Sequence, residues 1–461
     1  MSRLFCRGCG RSLAAVGAGP VVCPAAGDGG DHVVGRSLDE GVTFPGSNDA
    51  DDNPFVRFRT LTHAHSLALA HGLSDATFTS LVRTLDDAVK RVAGTGFVVT
   101  PLRECVALRD ALGLGGGIRL WVKDETRNVS GSHKARHLMG LAVLGEVASR
   151  LDPASGAATA RLAIASCGNA ALAAAVVARA LDMPLDVYIP EDANANVVRA
   201  LERLGASVHV CPRVVGAVGD PCYLAFKEAV GAGAQPFCCQ GSDNGLTIEG
   251  GETLGWEMIA QLGAQDVGAR RFDRLFVQVG GGALASACVA AFRDAGVPLP
   301  RIHAVQTLGA FPLYRAWKRV VARIAPRLGL DGLAPDPTLA EQLRAHAVDT
   351  VVEEELDYAA KHRAEFMWPW EGVPTSIAHG ILDDETYDWL AIVTAMIESG
   401  GFPLVVSEEQ LVRANELGRL HTGIDVDETG SSGLAGLLDL QGIGGLGANE
   451  SVGVIFSGVR R

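Results

Sequence analysis

Between Arg161 and Gln240 short apolar runs and helical stretches take turns, and few folds accept that rhythm. Leu162 to Ala165 reads as a strand, Asn169 to Leu181 as an Ala-rich helix, and Leu185 to Ile189 as a strand. Ala193 to Leu204 reads as a helix, Val208 to Cys211 as a strand, and about Tyr223 to Val230 as a helix. Strands separated by helices of this length need crossover connections, so they pair in parallel. The pattern returns on either side. Ile118 to Val122 precedes a helix opening at about Ser132, and Asp273 to Val279 precedes one reaching about Phe292. Further strands are expected at Ile302 to Val305 and Val452 to Phe456. The expectation is an α/β protein with mostly parallel sheets. Its 461 residues suffice for two packed domains.

The stretch Trp121 to Gly140, WVKDETRNVSGSHKARHLMG, holds the most informative residue. Leu138, Leu141 and Leu144 fall at helical spacing, which puts Lys134 in the first turn of a helix. The helix N-terminus is itself positive and does not welcome a cation. Lys134 is therefore either an ordinary solvated lysine or an amine tuned for nucleophilic chemistry. The glycine and serines around it favour the second.

Two turns and one terminal segment have matching alternatives. Ser166-Cys167-Gly168-Asn169-Ala170 joins a strand to a helix. Backbone N–H groups there can hold a carboxylate, and the Asn side chain can donate to a phenolic oxygen. Asn169 is equally suited to capping the helix. Gly280-Gly281-Gly282-Ala283 follows a strand and opens another helix, so its N–H groups can converge on a phosphate. The same residues fit G-x-G-x-x-A through Ala285. A dinucleotide site would need an acidic residue closing the next strand, which instead ends at Gln306. A monophosphate is the better fit. Ser457-Gly458 closes the last strand, as a turn or as a hydroxyl presented from its end.

Together these segments resemble the fold-type II pyridoxal-phosphate (PLP) enzymes. That group includes threonine synthase, serine/threonine dehydratase, cysteine synthase and the tryptophan synthase β chain. S-G-S-H-K-A-R resembles their lysine segment, and K-D-E-T, Lys123 to Thr126, is similar to the threonine synthase and dehydratase version. The His133–Lys134 pair is more like tryptophan synthase. S-x-G-N-A resembles the asparagine loop, and Thr100-Pro101-Leu102 the entry segment. The resemblance implies two three-layer α/β/α domains with mostly parallel sheets. A large PLP-binding domain would take residues 48–129 and 241–461, and a small mobile α/β domain residues 130–240. It implies that Lys134 holds PLP as an imine, with His133 beside it, and that the freed amine removes a Cα proton. Asn169 would bond the cofactor's 3′-oxygen, and Ser166, Cys167, Gly168, Asn169 and Ala170 would grip the substrate carboxylate. Gly280, Gly281, Gly282 and Ala283 would hold the phosphate, and Ser457 would face the pyridine nitrogen.

A neutral hydroxyl there does not enforce ring protonation, which suits elimination or replacement at Cβ or Cγ. The leading expectation is a threonine synthase-like reaction on O-phosphohomoserine. A serine/threonine ammonia-lyase, or a specialised β-replacement enzyme, comes next. Lys123, Arg127, Arg136 and Arg199 are candidates to hold a substrate phosphate. A homodimer is implied by the same resemblance.

Residues 1–47 form a short Cys-bearing extension. Cys6-x-x-Cys9, then Cys23 and His32, make a weak set of zinc ligands, because Ala26 stands where a second Cys pair would be completed. A net charge of −13 argues against a nucleic-acid partner. No apolar run reaches the roughly 18 residues of a membrane span, and MSRLFCRGCGRSL lacks a signal-type apolar core. A cytoplasmic location, without a membrane partner, is the expectation.

Overall fold

A computed structural model describes residues 2–14, 21–46, 50–153, 160–213, 219–264 and 271–461. Among them the strands run, in order, β1 (Arg3–Cys6), β2 (Ser12–Leu13), β3 (Val34–Ser37), β4 (Leu102–Glu104) and β5 (Arg119–Asp124). Then follow β6 (Leu162–Ala165), β7 (Leu185–Ile189), β8 (Ser207–Val210) and β9 (Gln235–Pro236). The last are β10 (Arg274–Gln278), β11 (Arg301–Thr307), β12 (Leu404–Val406) and β13 (Ser451–Phe456). The fold is α/β with mostly parallel sheets, as the alternation requires.

Contacts divide the chain into two units. The first is Met1–Pro24, His32–Val99 and Arg127–Glu257. Its main sheet has the order β8-β7-β6-β9, all parallel. Helix Asn169–Ala180 is built almost wholly of Ala and Val, and Ala171 to Ala178 are all buried. It packs against helices Lys134–Leu151 and Asp75–Ala93. Short side chains allow that packing from more than one side at once. Helix Asp75–Ala93 starts where Ser74 accepts from the Thr77 amide and stops at Gly94, φ 77°. Its contacts bring much of residues 53–93 to this unit, whereas the sequence reading grouped 48–129 with the C-terminal part; the boundary at 48 lies outside the described residues. The antiparallel sheet β2-β1-β3 carries the cysteine segment.

The second unit is Ala25–Asp31, Thr100–Thr126 and Met258–Arg461. Its sheet has the order β12-β11-β10-β13-β5-β4, parallel except for β4 at the edge. Every residue of β10 and β13 is buried, as expected of central parallel strands covered on both faces. Helix Glu428–Gly442 lies close on this sheet. A methyl at Gly433 would come 2.9 Å from the Phe276 carbonyl oxygen, and one at Gly436 would overlap Val305. The run of small residues therefore sets the helix–sheet spacing. The aromatic cluster near Trp368 is packing: the Arg315 guanidinium lies 4.0 Å from the Trp368 ring centroid and 4.8 Å from that of Trp370. Among the described residues no helix is long and apolar enough to cross a membrane.

Candidate active site

Lys134 is the first residue of helix Lys134–Leu151 and is half-buried. A tight loop delivers it there. Ser130 and Gly131 take φ of 55° and 72°, a left-handed pair that turns the chain sharply before the helix. Asn128, nearly fully buried, ties the loop by donating from Nδ2 to the Ser132 carbonyl at 3.0 Å. The Gly131 amide donates to the Asn128 carbonyl at 2.8 Å. Asn128 went unassigned in the sequence. Its signal was an amide side chain in a Ser/Gly turn, which such turns use to bond their own backbone.

Two imidazoles flank the lysine helix start. His133 and His137 meet edge to face, centroids 5.7 Å apart. Burial, reinforced by the positive charge of Lys134, pushes the His133 imidazole well below its ordinary range. The same causes push His137 down to about 3. Both rings are neutral near pH 7. His137 Nδ1–H donates to the Thr247 carbonyl at 2.8 Å, which fixes its tautomer. Neutral rings spare the lysine two further positive neighbours.

Arg136 is wholly buried. Its guanidinium meets Glu257 through two bonds of 2.7 and 3.1 Å and reaches Thr253 Oγ1 at 3.1 Å. It is thus committed to internal structure, and the expectation that it holds a substrate phosphate is corrected. Lys123 is likewise buried in β5, donating from Nζ to the Thr100 carbonyl at 2.7 Å and Gln261 Oε1 at 3.0 Å. Arg127 and Arg199 remain exposed.

The asparagine loop lies in the same unit as Lys134. The 3-10 turn Val129–Gly131 packs on helix Asn169–Ala180. Gly168, not Asn169, is the N-cap, and no side chain caps the helix. The capping alternative for Asn169 therefore falls. Ser166 Oγ accepts weakly from the Gly168 amide at 3.4 Å, Cys167 is exposed, and Gly168, Asn169 and Ala170 are half-buried.

In the second unit the glycine loop caps helix Ala283–Asp294. Gly282, φ 99°, is the N-cap and brings no side-chain acceptor of its own to the first-turn amides. The Gly280 and Gly281 carbonyls are turned to Thr386 Oγ1 at 2.8 Å and to the Asp388 amide at 3.2 Å. There is no room for side chains: methyls would meet Asp383 at Gly280, the Tyr387 ring at Gly281, and Ile392 at Gly282.

Ser457 follows β13 and is buried. Its amide donates to the Gly430 carbonyl at 3.2 Å, and Gln278 Nε2 donates to that same carbonyl at 3.0 Å and to the Ile455 carbonyl at 3.1 Å. Asp427 closes the arrangement, its Oδ1 accepting from the Gly430 amide and its own amide donating to the Gly458 carbonyl at 2.8 Å. Gln278 was missed in the sequence, although an amide closing an otherwise apolar strand was a visible signal.

Comparison with known proteins bears on this arrangement. Residues 95–458 match the family described as pyridoxal-phosphate dependent enzyme. The chain is 26% identical to a threonine synthase of Methanosarcina acetivorans over 371 residues, which cover 78% of this chain and 74% of that one. It is 30% identical to a mouse serine dehydratase-like protein over 216 residues, 46% of this chain and 57% of that one. The structure of the processed form of threonine deaminase isoform 2 from Solanum lycopersicum superposes with a TM-score of 0.54 at 17% identity, covering 85% of this chain and 91% of that one.

Proposed function

The chain belongs to the pyridoxal-phosphate-dependent enzymes, and from that premise we propose that it carries out a threonine synthase-like reaction, converting O-phosphohomoserine and water to threonine and phosphate. Its cofactor is pyridoxal 5′-phosphate. The residues present fit that group. The glycine-lined, uncapped helix start suits a phosphate, and the half-buried Lys134 suits an aldehyde. When bound, the cofactor supplies an electron-withdrawing ring that spreads negative charge from the substrate Cα.

The chain's own residues would act as follows. Lys134 would take and return the proton at Cα as a general base and acid. Neutral His133 and His137 would leave its amine without extra positive neighbours. The Ser166–Ala170 loop would bind the substrate carboxylate through its amides, with Asn169 donating to the ring's 3′-oxygen. Gly280, Gly281, Gly282 and Ala283 would bind the phosphate, and Ser457 would face the ring nitrogen without forcing a proton onto it. The observation that carries the reading is the pairing, within one unit, of Lys134 at a helix start with a loop whose asparagine does not serve as the cap. The choice of threonine synthase rests on the length of the match to that relative. A homodimer and a cytoplasmic location belong to the same proposal and rest on the resemblance alone.

One observation favours a serine/threonine ammonia-lyase instead. Two of the four cations available for a substrate phosphate, Lys123 and Arg136, are spent inside the protein. The PLP-loaded chain should be given O-phosphohomoserine in one assay and L-threonine in another. Threonine plus phosphate from the first supports the synthase. 2-Oxobutanoate and ammonia from the second, with the first silent, transfers the assignment to the lyase. Silence in both removes both substrates and leaves a specialised β-replacement.

A further inference from the structure

The cysteine segment is unexplained by any chemistry at Lys134. Cys6 and Cys9 sit at either end of the turn between β1 and β2, closed by the Gly10 amide on the Cys6 carbonyl and the Cys6 amide on the Arg11 carbonyl, both 2.9 Å. β3 pairs with β1 so that Val34 lies opposite Cys6, which brings His32 alongside. Cys23 arrives from a separate segment, near the point where Val21 accepts from the Gly245 amide at 3.1 Å.

One ligand atom from each of Cys6, Cys9, Cys23 and His32 lies within 4.8 Å of every other. Two of the spacings match the edges of a metal-centred tetrahedron. Cys9 and Cys23 Sγ are 3.7 Å apart, and Cys6 Sγ is 3.4 Å from His32 Nδ1. Metal–sulfur bonds of about 2.3 Å and metal–nitrogen bonds of about 2.0 Å, at tetrahedral angles, demand edges of about 3.8 and 3.5 Å. A disulfide would instead need about 2.05 Å. Three sulfurs and one imidazole nitrogen, with no position left over, are the donor set of a structural zinc site. The sheet β2-β1-β3 also needs such a tie. Its strands are two to four residues long and bury few apolar side chains, among them Leu4 and Val34.

The tie reaches further within the same unit. Arg36, in β3, holds Glu249 at 2.7 Å and also pairs with Glu252, both in the first turns of helix Thr247–Gly263. Glu249 accepts from the His63 amide at 2.6 Å as well. Between them Gly250 and Gly251 lie directly on the lysine helix: side chains there would run into the Arg136 carbonyl and the His137 ring.

We propose that Cys6, Cys9, Cys23 and His32 bind one Zn²⁺, and that this closed site anchors β1–β3 and, through Arg36, the helix turn on which the lysine helix rests. The full-length, PLP-loaded protein, purified without a metal-affinity step, should contain about one zinc per chain by elemental mass spectrometry. His32→Ala and Cys9→Ser should each bring this below about 0.2, whereas His32→Cys, which restores a fourth ligand, and Cys105→Ser, outside the cluster, should keep it. A thiol-reactive reagent should release about one zinc from the unaltered protein as three thiols react, a readout that does not depend on any variant folding. Zinc-free protein with Cys9 and Cys23 joined in a disulfide would overturn the proposal. So would zinc that survives His32→Ala and Cys9→Ser, or that stays bound after the thiols have reacted.

Discussion

Arg136 and Glu257 form a doubly bonded ion pair with no solvent exposure, two residues beyond Lys134. A guanidinium matches a carboxylate edge to edge, so the pair fixes both distance and orientation between two helices. It locks the lysine helix to helix Thr247–Gly263, with Thr253 satisfying a further donor.

Breaking that pair on one side strands the other charge. Arg136→Met should destabilise the protein by about 3–5 kcal/mol in urea unfolding, whereas Arg136→Met with Glu257→Met should recover most of the loss. Equal losses in the single and double variants would mean that shape, not charge, is what the pair supplies.

Lys134 should separate chemistry from stability. It is half-buried at a helix start whose dipole opposes its charge, so Lys134→Ala should cost less than about 1 kcal/mol. Turnover should fall by at least about a hundredfold, since positioned proton transfer contributes that much or more. Calorimetry and steady-state assay on the same preparation give both values.

Asn128→Ala should slow turnover without unfolding the chain. The Ser132 carbonyl loses its side-chain donor, and a buried unsatisfied carbonyl costs about 1–3 kcal/mol. The loop then relaxes and Lys134 shifts. A lowered kcat with a melting temperature only a few degrees lower in Asn128→Ala, restored by Asn128→Asp only where the carboxyl is protonated, would identify the donor as the cause.

Gly282→Ala should harm both the fold and cofactor binding. At φ 99° an alanine is strained by about 1–2 kcal/mol, and its methyl would lie 2.8 Å from Ile392 Cδ1. PLP affinity, read by titration against cofactor absorbance, should fall more than stability does. The reverse order would remove the loop from the phosphate site.

Stability should decline in mild acid. Burial pushes His63 down to about 4, and His137 and His303 down to about 3, all from an ordinary 6.5. The unfolded chain therefore binds more protons than the folded one below pH 6.5. Their contribution is complete above 6.5 and is lost as pH falls towards 3, by at most about 1.4 kcal/mol per pH unit for each histidine. Denaturation series at pH 7.5, 6 and 5 should follow this slope, and His137→Gln should flatten it.

The alternation of strands and helices could be read because burial on both faces writes itself as apolar runs: Leu162–Ala165 and Leu185–Ile189 emerge with the expected bounds. Lys134 could be read for the same local reason, a helix pattern that starts beside Gly and Ser. What stayed hidden depends on distant partners. Arg136 looks like a surface charge until Glu257 meets it from over a hundred residues away. Lys123 looks available until Gln261 and the Thr100 carbonyl surround it. The lack of side chains at Gly250 and Gly251 finds its reason only in the lysine helix that lies against them. His32 could not be distinguished from a loop histidine until β3 aligned with β1.

Strand β13 has a consequence for how the chain tolerates damage. It fills the slot between β5 and β10 and pairs with both. A product interrupted before Ser451 would leave each of those strands with a bare row of backbone donors and acceptors, on parallel strands that are otherwise buried. Such rows invite pairing with other chains. Incomplete copies of this protein should therefore fail by sticking together rather than by staying soluble and inactive, and quality control in the cell would have to remove them as aggregates.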